Sequence, residues 1–197
     1  MRYSETHKQE TRDRVLAVAA RALRAMGPER LGVAEVMAEA GLTHGGFYAH
    51  FKSKDDLLAA AVDEAFKDGR ALWRSATADT PGIEGLARYI DLYVSGQHRD
   101  RLDTGCPVAA LNVHFARNGS AAGDAFRANV ARLLDAIAER LPGEDAQGRG
   151  AAAGAIFGEM MGAILVARAI DDRDTSNRLL AAARDHLKAR IGLGIER

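Results

Sequence analysis

Apolar residues recur at spacings of three and four along most of the chain, the period that lays one stripe down an α-helix. Over residues 6–26 the stripe is Val15, Leu16, Ala19, Ala20, Leu23 and Met26, and Gly27-Pro28 ends it. Val33, Val36, Met37 and Ala40 mark a short second helix that stops at Gly41, because glycine enters the left-handed region at little cost. Thr43 is placed to cap a third helix, with Phe47, Tyr48 and Phe51 turned toward a core. Residues 33–51 therefore read as two short helices around a tight glycine turn. Ser53-Lys54-Asp55-Asp56 has the form of a cap with an acid three residues on, opening a longer helix through Leu57, Leu58, Ala61, Val62, Ala65 and Phe66 toward Trp73.

After a polar break at residues 75–81, the stripe resumes over 82–97 with Ile83, Leu86, Ala87, Ile90, Tyr93 and Val94. Cys106-Pro107 predicts a short helix through Val108, Leu111, Asn112 and Phe115, since proline is favoured at a first helical position. Further helices are expected over 121–141, 144–170 and 176–191. Between the last two lies Asp171-Asp172-Arg173-Asp174, which reads as a solvated turn with a helix cap rather than a cation site, because a cage needs ligands from more than one short run. No metal site and no cofactor are expected.

Composition narrows the class. In 197 residues, 47% are apolar and 27 basic residues balance 27 acidic ones, enough to build a core and too neutral for a chain that coats nucleic acid unspecifically. Ala, Leu, Arg and Glu at helical spacing point to an all-α fold. The one cysteine excludes an intrachain disulfide and suits a reducing cytosol. Residues 1–14 lack the apolar centre of an export signal, so a cytoplasmic location is expected. Residues 151–170 approach membrane-spanning length but contain Glu159 and Arg168 and are rich in Ala and Gly; a buried helix and no membrane partner are expected.

The segment 36–58 carries the most specific pattern. Ala40-Gly41, Thr43, Gly45, Tyr48, His50-Phe51, Ser53-Lys54 and Leu57-Leu58 stand at the spacing of a known motif. The segment resembles the DNA-binding signature of the TetR family of bacterial repressors. Gly32, Met37 and Gly46 depart from the usual Thr, small Ala and Thr, and Gly46 leaves the recognition helix short of a side chain and loose. The resemblance implies an N-terminal three-helix helix-turn-helix domain, placed at 1–52, and a helical effector-binding and dimerisation domain at 53–197, about nine helices in all. It implies a double-stranded DNA operator as partner.

The residues support that reading on their own terms. From Ala40 to Lys54 there is no acidic residue, while His44, His50, Lys52 and Lys54 are present, so a small basic face exists within a neutral chain. Recognition helices meet the major groove with their N-terminal residues, which makes Thr43 and His44 candidates for base contact, with Gly45 and Gly46 letting the backbone approach. Tyr48, His50, Lys52 and Lys54 are candidates for phosphate. Phe47 and Phe51 are assigned to the core.

Two further features bear on regulation. Gly150, Gly154, Gly158 and Gly162 form a ridge without side chains on a helix whose other face holds Phe157, Met160, Met161, Ile164 and Leu165. Both sides need cover, one from the domain's own core and the other, we expect, from the same helix and residues 176–191 of a second subunit; TetR-like proteins dimerise through their last two helices. Trp73, Tyr93, Phe115, Phe157 and Met161 offer surface for a small-molecule effector, though each is equally suited to plain core. Cys106, just before Pro107, sits where a helix N-terminus would favour a thiolate, and a Gly-Cys here resembles TetR-like sensors of electrophiles; an inert buried thiol is the competing reading. A cysteine enzyme built on His98, Cys106 and His114 lacks a third partner and an oxyanion loop, so no catalytic residue is expected. A helical adaptor without DNA binding is the remaining alternative, distinguished by absence of a steep salt slope on duplex.

Overall fold

The structure is a computed structural model and describes residues 2–115, 119–143 and 145–193. Among these are nine α-helices, one 3-10 helix and no strand: α1 (Arg2–Arg30), α2 (Val33–Glu39), the 3-10 helix His44–Ala49, α3 (Lys54–Thr77), α4 (Gly82–Tyr93), α5 (Gly96–Asp100), α6 (Pro107–Phe115), α7 (Ala121–Ala138), α8 (Ala146–Ala169) and α9 (Arg173–Arg190). The chain divides into two compact units, Met1–Asp68 with Cys106–Asn129, and Gly69–Gly105 with Val130–Arg197.

In the first unit α1 buries Val15, Leu16, Ala19, Ala20 and Leu23, the stripe its sequence announces. The helix breaks at Gly27, with φ 78° and ψ 168°, and resumes for one more turn beyond the expected stop, with Pro28 supplying its pre-set φ. His114 of α6 occupies the space a side chain at Gly27 would need: a Cβ there would lie 2.7 Å from the ring. The same ring places Nδ1 2.9 Å from Glu29 Oε2. Arg24, buried in α1, donates to the Ala65 carbonyl of α3 at 2.9 Å and to Asp68 at 3.3 Å. Phe66 of α3 and Phe115 of α6 both pack on Phe126 of α7, with centroids 5.8 and 5.4 Å apart.

Ser53 caps α3 by accepting from the Asp56 amide at 3.1 Å, and the Asp56 carboxylate reaches back to the Lys52 amide at 2.8 Å, one residue beyond the expected cap. Thr43 is a correction. It stands at the N-cap of His44–Ala49 in extended conformation but its side chain makes no cap bond. The segment after it is a 3-10 helix rather than an α-helix, closed by the Gly46 amide on the Thr43 carbonyl at 3.0 Å. Two successive glycines lower the propensity for an α-helix, and a short run tolerates the tighter winding.

In the second unit the helix expected over 82–97 is two. Val94 leaves helical geometry, and Ser95 restarts the chain as α5 by accepting from the His98 amide at 3.1 Å. Trp73, Tyr89, Tyr93 and Phe157 run as successive ring contacts from α3 through α4 to α8, with centroid distances of 4.9, 5.7 and 5.8 Å. Helix α7 ends at Ala138, short of the expected 141. The expected start of α8 at Glu144 lies outside the described residues; Asp145 caps the helix, accepting from the Gln147 and Gly148 amides. Asp172 caps α9 through the Thr175 amide, so α9 begins at Arg173 and not at Ser176. Contacts of Ser176 with Ala167 and of His186 with Glu159 show that α8 and α9 pack antiparallel.

Helix α8 is long and apolar enough to cross a membrane by length and composition. Its face Ala153, Ile156, Phe157, Met160, Ile164 and Ala167 is buried, whereas Leu165 and Val166 are exposed; the expectation of a buried helix holds for one side only.

The Gly27 break yields a stability prediction. Gly27→Ala combines a positive φ with a collision against His114, so it should lower unfolding free energy by about 1–3 kcal/mol, measured by urea denaturation. A change below the error of the extrapolation would show that α1 and α6 adjust freely there.

Candidate nucleic-acid interface

The recognition segment is held from below by aromatic packing. Phe47 and Phe51 are buried and stack with centroids 5.7 Å apart, and α2 supplies Val36 and Met37 to the same core. Tyr48, between them in sequence, turns outward and is 72% exposed, edge-on to Phe47 at 5.2 Å. Thr43, His44, Gly45, Lys52 and Lys54 are exposed, and Gly46 and His50 are partly so. The eight residues singled out for DNA thus lie along one continuous segment, 43–54, exposed or partly so, while Phe47 and Phe51 face the core.

One contributor was not anticipated. Arg12 of α1 places its guanidinium 4.4 Å from the Phe51 ring centre and donates to the His50 carbonyl at 3.1 Å. Its signal in the sequence is only an arginine next to the apolar stripe; nothing local indicates a partner 38 residues away. Arg12, with Lys8 one turn earlier, adds positive charge beside His50. Burial first, then the charges of Lys8 and Arg12, hold the His50 pKa below its ordinary value. The His50 Nδ1 atom is buried and makes no hydrogen bond.

The residues assigned to an effector divide between the units. Tyr93 and Phe157 are in direct contact, and Trp73 joins them through Tyr89. Met161 is half-buried on α8 in the same unit. Phe115 belongs to the first unit, where it packs on Phe126, and Cys106 stands half-buried in that unit immediately before α6. His98 is buried and edge-on to Tyr93, donating from Nδ1 to the Tyr93 carbonyl at 2.7 Å; burial chiefly lowers its pKa. Among the described residues no cluster of His, Cys, Asp and Glu is arranged to hold a metal ion.

The recognition geometry agrees with comparison to known proteins. A sequence profile described as bacterial regulatory proteins, tetR family, matches residues 15–61, from the middle of α1 into α3. Over residues 15–61 the chain carries the helix-turn-helix of the TetR family. An HTH-type transcriptional repressor of Mycobacterium tuberculosis is 28% identical over 135 residues, 68% of this chain and 63% of the repressor, so the match spans less than two thirds of that relative. The fold extends further than the sequence match. A TetR transcriptional regulator from Chloroflexus aurantiacus superposes with a TM-score of 0.80 at 26% identity, covering 96% of this chain and 98% of that one. A TetR-family regulator from Streptomyces coelicolor gives 0.73 at 26% identity, over 93% and 96%. The all-α architecture with an N-terminal helix-turn-helix is that of the TetR family.

The His50 environment sets a pH dependence. If the segment meets DNA as expected, a phosphate beside Lys8 and Arg12 would offset the charges that depress the imidazole pKa, and the bound state would take up a proton that the free state lacks. Affinity for duplex should therefore rise by roughly threefold as pH falls from about 7.5 to 6, and His50→Gln should remove that part of the slope, read by fluorescence anisotropy at fixed ionic strength. An identical slope in His50→Gln would show that the ring does not face phosphate.

Proposed function

We propose that the chain is a transcriptional repressor that binds a near-palindromic operator as a homodimer and is released by a small-molecule effector. The observation that carries this reading is the exposed, acid-free segment 43–54, set on a rigid aromatic base. Thr43 and His44 take the base edges, Gly45 and Gly46 allow close backbone approach, and Tyr48, His50, Lys52 and Lys54 contact phosphate. Residues 1–52 act as the DNA-binding domain and 53–197 as the regulatory domain, in a cytosolic protein that carries out no chemistry on its ligand.

Dimerisation is assigned to α8 and α9. The positions of Gly150, Gly154, Gly158 and Gly162 have nothing within 4 Å of where a Cβ would stand, and Leu165 and Val166 are exposed nearby, which supports an open face suited to a second copy. For the effector, Trp73, Tyr93, Phe157 and Met161 provide the apolar surface. Cys106 provides a covalent route in which an electrophile modifies the thiol at the start of α6; Phe115, packed on Phe126 within the first unit, is the least favoured of the set.

Anisotropy titrations with operator fragments selected from genomic DNA test the assignment. Tyr48→Ala and Lys54→Ala should weaken binding at all sequences by about tenfold, Lys54→Ala also flattening the salt slope, whereas His44→Ala should also blur preference at one half-site position. Unaltered affinity in all three would remove this segment from the interface. In sedimentation, Gly154→Leu and Gly158→Leu should give monomer and lose operator binding together; dimers that bind normally would place the interface elsewhere. An electrophile such as a maleimide should release operator from the parent and not from Cys106→Ser if the covalent route operates, and equal release in both would eliminate it.

A further inference from the structure

Between the 3-10 helix and α3 runs a link of four residues, 50–53, which carries His50 and Lys52 and leads into Lys54 at the start of α3. Such a link has no hydrogen-bond ladder of its own, so its course is set by what its groups are bonded to. The His50 and Phe51 amides both donate to the Phe47 carbonyl, at 2.9 and 3.0 Å, and the Phe51 ring is buried. The Lys52 amide donates to the Asp56 carboxylate at 2.8 Å. These anchors come from residues close by in sequence. The His50 carbonyl is held differently, by Arg12 Nη1 of α1 at 3.1 Å, across 38 residues.

Arginine chemistry suits that contact. The Arg12 guanidinium lies 4.4 Å from the Phe51 ring centre while its edge reaches the carbonyl of the residue before, so one planar group covers the ring and bonds the backbone. A lysine ammonium has the charge without the plane. Thr11, preceding Arg12, is buried and seats this part of α1, and Asp13, following it, takes a bond from Gln9 Nε2 at 2.8 Å. The two acids after the link are engaged by amides, Asp56 by that of Lys52 and Asp55 by that of Ala121 at 3.2 Å. Arg12 is thus committed within the protein, whereas Lys52 and Lys54 are exposed.

We propose that Arg12 is a positioning residue for DNA recognition: from α1 it holds the link 50–53 so that Lys52 and Lys54 meet the phosphate backbone in fixed register, without binding phosphate itself. The inference rests on the operator reading above. Ordering the link before DNA arrives removes that cost from binding, so loss of the Arg12 bond appears as weaker affinity. The counterions released on binding reflect the phosphates neutralised, and their number stays the same. A phosphate-binding arginine behaves in the opposite way. Its loss lowers the salt slope by about one, and a lysine in its place, keeping the charge, restores most of the binding.

Arg12→Lys and Arg12→Met separate the two behaviours. Fluorescence anisotropy with a selected duplex is run over a range of salt at about pH 8, where His50, its pKa lowered, is neutral. Arg12→Lys is expected to bind about tenfold more weakly than the parent with the parent's salt slope, and Arg12→Met more weakly still. Hydrogen exchange on the DNA-free protein, read by NMR, is the second measure. The amides of His50, Phe51 and Lys52 should exchange severalfold faster in Arg12→Lys, with those of Ala19 and Ala20 in α1 unchanged. Parent-like affinity in Arg12→Lys overturns the proposal, as does a reduced slope or unchanged exchange at 50–52. Faster exchange at Ala19 and Ala20 as well would make Arg12 a plain stability residue and overturn it too. A parent that binds no selected duplex overturns the operator reading and, with it, the role in recognition, whatever the exchange shows.

Discussion

The Phe51 ring, stacked on Phe47 and covered by the Arg12 guanidinium, is the contact on which the segment 43–54 depends. A six-residue 3-10 helix has too few internal hydrogen bonds to hold itself in water, so its conformation must come from what it is packed against. Phe47 and Phe51 supply that support from within, and α1 supplies it from outside through Arg12, which also satisfies the His50 carbonyl. Burial of two large rings contributes several kcal/mol, of the order of the stability of a small unit. The exposed residues between and after them are free to serve a partner because they carry none of this burden.

The second unit rests on a different kind of constraint, the need to satisfy carbonyl groups at a helix end. Helix α5 is only five residues long; the Arg101 amide closes it on the His98 carbonyl, and the carbonyl oxygens of Arg99 and of Arg101 just beyond it take a partner from outside. Arg168 pairs them, while Arg99 crosses to Ser176 and Asn177, so α5, α8 and α9 are joined by directed bonds. Ser176 completes the set by donating to the Ala167 carbonyl at 2.7 Å. Such a network fixes orientation more than it adds stability, since charge burial offsets much of the gain.

What could be read from the sequence were the features set by single residues or by a short period. Gly41 at φ 76°, Pro107 at the start of α6, the Ser53 cap and the stripe of α1 are local signals with local causes. The basic segment 43–54 was legible because it is contiguous. The failures have physical reasons as well. Thr43 resembles a cap in type, but the 3-10 winding after it takes the Thr43 carbonyl instead of its hydroxyl. Ser95-Gly96 marks the start of α5, a signal masked by an apolar stripe that continues through Val94. Arg12, Arg99 and Arg168 act across separations of 38 to 78 residues, and no periodicity records such partners.

The paired glycines of the recognition segment have an evolutionary consequence. A Cβ at Gly45 would meet nothing within 4 Å, and one at Gly46 would make only ordinary contact, 3.7 Å from Met37 and 3.9 Å from Thr43. Neither position requires a left-handed backbone. Two adjacent sites at the exposed end of the segment thus stand empty of side chains without a structural need to be so. They are spare coding capacity: a side chain acquired at either would alter the surface presented there while the rings beneath stayed in place. Change in the surface presented to a partner can start there without first unfolding the element that bears it.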